Sequence, residues 1–406
     1  MEIREINDRM IFDMYVSRNP LCHYMKTSMW GEYQKNKGLS YQMLGLFEGE
    51  KMVGSALALR KRGIFPWVYI PKGMCLDGLE VPFVMEAYGL LRDYYTKQGV
   101  VFLRIDPNIL RMEKDLKGNV VEGGENHEAI TQSLIELGYE HKGYGYAYDG
   151  SWTNRYTLIV PLEKPIENTF KKFSSHRRLM IKKAEKMGLT TEEGTIDDID
   201  DLLRLQKELS MIKGFKPFVK KDYLELMDAF GEHAVIYITR LHIDQSIVLL
   251  QGRKTKLAQE KESIAKTIER LQKCSETRGN DIALAAGFMF WFGEIAWCWQ
   301  YYYDHDFDWL VPLDSFNYNA MKDMQGKGVN YYDLCGFGGI TTGINDDPEF
   351  HLYEYKRGFA PRFIEHIGQF DFVFHRDKMK AYTLCNKVTK KISRNWHLLK
   401  YKKTDK

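Results

Sequence analysis

The stretch YYDLCGFGGITTG, Tyr331 to Gly343, followed by YEYKRGF from Tyr353 to Phe359, decides how this chain is read. YYDLC has the aromatic look of a strand end, and Gly336, Gly338, Gly339 and Thr341 then stand where apolar packing residues would be expected. Glycine admits positive φ and the close approach of a ligand or another backbone. A strand running into such a loop, with Lys356 and Arg357 soon after, brings backbone N–H groups and fixed positive charge to an anionic or carbonyl-bearing ligand. A purely structural turn uses the same residues, so the rest of the chain must choose.

At 406 residues the chain exceeds one ordinary core, and two domains with an appendage are expected. The balance of 44% hydrophobic and 28% charged residues is globular. A net charge of only +3 places any nucleic-acid affinity in local patches. The six cysteines form no CxxC pair, which argues against a disulfide framework or a zinc site and suits a reducing cytoplasm. The first residues, MEIREINDRM, lack the apolar core of a signal peptide. The apolar run Ile282 to Gly293 is broken by Glu294, too short for a membrane span of about 20 residues, and reads as one of two adjoining strands.

Along the chain, residues 1–150 alternate strands and helices in a β–β–β–α–β order, which is α/β or α+β with a mixed sheet. Residues 151–242 begin a second unit of the same type, with one helical stretch expected over 166–187. From 243 to 279 the character changes. Leu250, Leu257, Ile264 and Leu271 recur every seven residues among Lys and Glu, as in a long exposed helix or a short helical hairpin projecting as an arm. Residues 280–366 resume the second unit.

Several constellations carry chemistry. Lys171, Lys172, Arg177, Arg178, Lys182, Lys183 and Lys186 crowd one helix, whose Phe173, Met180, Ala184 and Met187 form an inward face. The opposite face is either a solvated surface or a phosphate contact that supplies affinity without sequence reading. A second basic segment runs from Arg376 to Lys406. Asp106 stands where a buried strand stops at Pro107, an active-site position in many α/β folds and also a common turn. Lys35 with Trp30, the GFGG loop with Lys356, and Tyr301 to Tyr303 complete the set. No Ser-His-Asp order, HExxH, Walker loop or GxGxxG is present, so neither covalent catalysis nor a metal is indicated. A transferase that positions two substrates and lets them react fits what remains.

These residues together resemble the FemABX family, aminoacyl-tRNA-dependent transferases that build the interpeptide branches of peptidoglycan. The pattern R-x-x-I-x-K-A-x-K-x-G appears as Arg178, Ile181, Lys183, Ala184, Lys186 and Gly188. Ser28 with Trp30, Ile105 to Asn108, IALAAGFMF, YYDLCGFGG and YEYKRGF follow in the family's order across nearly the whole chain.

The resemblance implies an α+β fold of two GNAT-like domains: 1–150 with 367–406, and 151–242 with 280–366, the short arm 243–279 being inserted in the second. It implies transfer of a Ser-, Ala- or Gly-class amino acid from aminoacyl-tRNA to the stem-peptide lysine of lipid II or a muropeptide precursor. The length and short arm are similar to MurM-type members. No cofactor, metal or DNA is implied, and the expected location is cytoplasmic, peripheral at the inner leaflet. By the same resemblance Lys356 lies near the reacting centre and Asp106 in the cleft. Lys35, Trp30, Tyr301, Gly336, Gly338, Gly339 and Tyr353 would line the substrate, with Lys213 or Lys216 in place of a phosphate-binding arginine. The helix from Lys171 to Lys186 would meet tRNA. The Gly-Gly-Ser that often follows the family's aromatic strand is replaced here by Tyr301 to Tyr303. Two rivals are an acetyl-CoA-dependent GNAT enzyme, whose Gln/Arg-x-x-Gly-x-Gly/Ala loop is absent, and a noncatalytic RNA-binding protein.

Overall fold

The computed structural model describes residues 1–145, 152–213, 215–343 and 348–386, apart from the side chains of 212 and 213. In the first unit the strands are β1 (Glu2–Glu5), β2 (Ser40–Glu48), β3 (Lys51–Lys61), β4 (Trp67–Ile70), β5 (Cys75–Leu76), β6 (Phe102–Ile105) and β7 (Glu140–His141). The second sheet holds β8 (Tyr156–Pro161), β9 (Thr190–Glu193), β10 (Ala234–His242), β11 (Asp281–Phe292), β12 (Ile295–Tyr303), β13 (Tyr331–Gly336) and β14 (Arg362–Glu365). The chain then crosses back, and β15 (Phe370–Val373) fills the slot between β6 and β7. The sheet orders are β1-β2-β3-β4-β6-β15-β7, with β5 on β3, and β14-β8-β13-β12-β11-β10-β9.

The helices of the first unit are α1 (Arg9–Arg18), α2 (Ser28–Asn36), α3 (Val81–Thr96) and α4 (Glu128–Glu136). Those of the second are α5 (Ile166–Lys172), α6 (Ser175–Lys186), α7 (Ile199–Lys213), α8 (Lys220–Phe230), α9 (Ile243–Gln251), α10 (Ala258–Arg278), α11 (Pro312–Gly326) and α12 (Pro348–Arg357). Each sheet has one parallel pair among its described strands. It is β4 with β6 in the first, crossed over by α3, and β12 with β13 in the second, crossed over by α11. Parallel neighbours require such a crossover. Three antiparallel strands, a crossover helix and a parallel strand thus occur twice, the GNAT-like α+β plan that the resemblance implies.

Both parallel pairs open at the end where chemistry can sit. β4 and β6 run into Pro71 and Pro107, which have no N–H to continue a ladder. β12 and β13 pair only from Ile295 and Tyr331 to Trp297 and Asp333. Beyond that β13 bends at Cys335, whose φ is +61°.

Apolar residues of both units share one interior. Phe12, Val16, Tyr24, Trp30 and Tyr33 pack with Leu226, Phe230, Phe288, Phe290 and Trp297. Lys37 rims this contact, its ammonium 2.7 Å from Asp222 and 2.6 Å from Glu225 of α8.

One element differs from the sequence expectation, and a second takes one of its two expected forms. The helical stretch 166–187 is two helices, because Phe173 is extended and buried while Ser174 caps α6 through the Arg177 N–H, 3.2 Å away. Of the two forms expected for the heptad stripe, the structure has the hairpin, α9 and α10. Leu250 and Leu271 are buried against Ile282, Leu284, Phe307 and Leu310, while Leu257 is exposed at the N-cap of α10.

Gly293, in the β11–β12 turn, meets α1 closely. Its φ is +58°, and a Cβ there would strike the Ser17 carbonyl. Gly49 has the same φ with open space around it. Gly49→Ala is expected to cost about 1 kcal/mol from left-handed strain alone. Gly293→Ala adds the clash and is expected to cost about 2–3 kcal/mol. Urea midpoints of the two variants check the difference.

Candidate active site

The segment that joins the units, from Trp152 to Arg155, lies between the two open strand pairs. On its first-unit side is Asp106, buried at the end of β6. Its carboxylate accepts hydrogen bonds from the Tyr69 hydroxyl at 3.0 Å, the Lys72 N–H at 2.7 Å, and the Thr153 hydroxyl. Burial pushes the Asp106 carboxyl above the ordinary carboxylate range, against the opposing pull of Lys72 and these hydrogen bonds. Lys72 holds a left-handed backbone at φ +58°, and its ammonium donates to the Asn154 carbonyl at 3.2 Å.

On the second-unit side Lys356, near the end of α12, is only 2% exposed. Its ammonium donates to the Cys335 carbonyl at 3.1 Å and the Gly336 carbonyl at 2.8 Å, and lies 6.0 Å from the centre of the Tyr301 ring. The β13 bend thus aims two carbonyls at one lysine. Asp333 of the same strand is buried and accepts from the Thr157 hydroxyl and, at 2.7 Å, the Cys335 N–H. Burial raises its carboxyl too, with Lys356 and Lys72 pulling the other way. Burial lowers both lysines, partly offset by Asp106 and Asp333 at Lys72 and by Cys335, Cys298 and Asp333 at Lys356. Asp106, Lys72, Asp333 and Lys356 therefore form a line of alternating charge from one unit to the other.

The linking segment is held at both ends. Asn154 occupies the space where Gly336 has no Cβ. Arg155 pairs with Glu365 of β14, which also receives Lys114 and Arg111 from the first unit. Lys72, Asp106, Thr153, Asn154, Arg155 and His366 surround a gap with room for about one water. The His366 imidazole is held well below its ordinary pKa by burial and by Lys72, Lys26 and Arg155.

Of the sequence-selected residues, Lys356 and Asp106 come to opposite sides of this seam, with Tyr301 beside Lys356. Others lie elsewhere. The Trp30 ring is buried between Tyr24, Tyr33 and Phe230. Tyr353 is buried against Phe337, and its hydroxyl donates to the Leu116 carbonyl. Gly338 gives its N–H to Glu349 at 3.1 Å, and Gly339 makes room for the Tyr156 ring. The glycines thus admit protein side chains rather than a phosphate cradle. Lys35 is exposed on α2, 3.5 Å from Glu32. Lys216 is exposed, and Lys213 ends α7 with its side chain outside the described residues.

In the basic helices, Lys171, Lys172, Lys182, Lys183 and Lys186 are exposed. Arg177 is not: it is buried and paired with Asp314 at 2.6 Å. Arg178 turns back to the Lys171 carbonyl at 2.9 Å. Of the C-terminal basic segment, residues 376–386 are described as a helix, and 387–406 lie outside the described residues. Sequence reasoning missed Lys72, Asp333 and the linking segment. The only local signal was the Pro71-Lys72-Gly73 turn, which marks a strand end without showing what faces it.

The FemAB family model matches residues 8–267 and 250–387. The aminoacyltransferase FemA of Staphylococcus aureus (strain MRSA252) is 20% identical over 94% of this chain and 97% of its own length. FemA of strain N315 is 19% identical over the same shares. The crystal structure of FemX superposes with a TM-score of 0.78 over 95% of this chain and 99% of that one, at 19% identity. The chain belongs to the FemAB family, and by that membership it is an aminoacyltransferase.

Lys72 offers a test of how the seam is built. Lys72→Gly relieves the left-handed backbone, whereas Lys72→Ala keeps that strain of about 1–2 kcal/mol. The alanine variant is expected to be the less stable by about 1 kcal/mol in denaturant unfolding.

Proposed function

We propose that this aminoacyltransferase moves an amino acid of the Ser, Ala or Gly class from aminoacyl-tRNA to the stem-peptide lysine of a peptidoglycan precursor, lipid II or a soluble muropeptide. The observation that carries the reading is the placement of a buried lysine, Lys356, and a buried carboxyl, Asp106, on the two sides of one seam.

The chemistry asks for little more. The lysine amine attacks the ester carbonyl, a tetrahedral oxyanion forms, and the bond to the tRNA ribose oxygen breaks as that oxygen takes a proton. Holding the two substrates in register supplies roughly 7–11 kcal/mol in favourable cases. Lys356 is the cation for the oxyanion: a donor there contributes about 3–4 kcal/mol where water is excluded. Two of its three N–H bonds go to carbonyls, leaving one for the substrate. Asp106 takes the proton released by the attacking amine, and Lys72 holds that carboxylate. No cofactor or metal is required for these steps. The exposed lysines of α5 and α6 are the tRNA contact, supplying affinity through phosphates. Contact with the inner membrane face through the C-terminal basic segment fits a lipid-borne acceptor.

The pH dependence follows from the two shifts. Asp106 works ionised, so activity rises as pH climbs through its carboxyl pKa, raised above the ordinary value of about 3.9. Lys356 works protonated, so activity falls as pH climbs through its pKa, lowered below the ordinary value of about 10.4. The bell is therefore narrower than free side chains would give. Asp106→Asn is expected to flatten the acid limb and lower kcat. Lys356→Met is expected to lose most turnover, on the order of a hundredfold, with tRNA binding retained. Purified protein with Ser-, Ala- or Gly-charged radiolabelled tRNA and a lysine-containing precursor tests both, with acetyl-CoA as control. Acetyl transfer, or wild-type turnover in Lys356→Met, overturns the reading.

A further inference from the structure

Arg177 lies on the helix that presents the lysine face, yet it turns inward. Its guanidinium bonds the Asp314 carboxylate at 2.6 Å and the Tyr355 carbonyl at 3.1 Å. It lies over the Tyr355 ring at 4.2 Å and the Phe359 ring at 5.0 Å. The Tyr355 carbonyl belongs to the peptide bond that leads into Lys356. The same two elements join a second time, where the Ser174 N–H donates to the Gly358 carbonyl at 2.9 Å. Tyr355 is fixed in turn from α11, whose Asn317 amide donates to its hydroxyl at 3.0 Å. The start of α6 is thus bound to the last turn of α12 on both sides of Lys356.

We propose that Arg177 is a positioning residue that holds Lys356 in place and ties the lysine face of α6 to the reacting centre. The proposal rests on the assignment of Lys356 to that centre. A planar guanidinium suits the task because one rigid fork serves a carboxylate and a carbonyl together while its face covers an aromatic ring. Asp314 keeps the buried cation neutralised, so the grip on the Tyr355 carbonyl does not leave an unpaired charge. Ammonium placement matters at short range, since a misplacement of about 1 Å costs up to about a hundredfold in rate.

The test compares Arg177→Gln, Arg177→Lys and Gly358→Ala in the full chain. Gly358→Ala is the mild version: its Cβ would stand 3.1 Å from the Arg177 Nε and 3.3 Å from both the Tyr355 carbonyl and the Ser174 Oγ, so the grip must give by a few tenths of an ångström. Arg177→Gln is expected to lower kcat by about tenfold to a hundredfold, with unchanged tRNA binding and acceptor KM. The alkaline limb of the kcat profile is expected to move to higher pH, as a loosened Lys356 regains water while Asp333, Cys335, Cys298 and Glu349 still face it. Arg177→Lys restores part of the rate, and Gly358→Ala shifts both readouts the same way by less. Should Arg177→Gln fail to fold, Gly358→Ala decides by the same two readouts. Wild-type kcat, or a lower kcat with an unmoved alkaline limb, overturns the proposal. Lys356→Met in the same assay separates the two levels. If it is inactive while the Arg177 and Gly358 variants are normal, only the positioning role fails. If it is fully active, the assignment of Lys356 fails and the positioning role with it.

Discussion

The Tyr24 ring lies on Phe290 with centroids 4.4 Å apart and planes 13° from parallel, and around this pair the two units share one hydrophobic interior. Trp297 meets Tyr24 edge-on at 5.3 Å, and Phe230 packs against Phe290 at 4.6 Å. Each such side chain removed from water contributes about 1.5–3 kcal/mol. A contact of this composition behaves as a core rather than as a sliding domain interface. Everything at the seam depends on it. The open ends of β4–β6 and β12–β13 belong to different sheets, and only a fixed relation between the units brings Asp106 and Lys356 to the two sides of one short linking segment.

Against that apolar interior the charged line is costly. A single buried ion is strongly unfavourable, and a buried pair recovers the cost only with good geometry and further hydrogen bonds. Here the carboxylates receive them from Tyr69, Thr153, Thr157 and backbone N–H groups, while Lys72 gives one N–H and Lys356 two to backbone carbonyls. The arrangement perturbs each group away from its ordinary titration, which is the condition for acid–base and electrostatic work near neutral pH. Stability alone would be served as well by apolar residues of similar volume.

Much of the architecture is legible locally. The β–β–β–α–β order of residues 1–150, the strand ending at Pro107 and the adjoining strands on either side of Gly293–Glu294 each carry their own periodicity and punctuation. Asp106 and Lys356 are legible too, one from a strand stopped by proline and the other from a family pattern. That Trp30, Tyr353 and Arg177 are buried was not legible, for a common reason: aromatic and arginine side chains serve cores and ligand sites equally well, and composition does not say which surface covers them. Arg177 shows this sharply. Helical spacing puts it in a run of cations, but the carboxylate that draws it inward is 137 residues further along. The break at Phe173 and Ser174 was hidden in the same way, since its second partner is the distant Gly358 carbonyl.

By itself the sequence determined the element types, the doubled order of strands and helices, the inserted charged helices and the family, because these follow from periodicity, glycine and proline positions, and ordered motifs. Only the tertiary structure decided which charges share one buried line, that the glycines of the loop admit Asn154 and Tyr156, and that the basic helix grips the peptide beside Lys356. The physical reason is range. Backbone preferences act over a few residues, whereas a buried charge is defined by partners that the chain brings together from hundreds of residues apart.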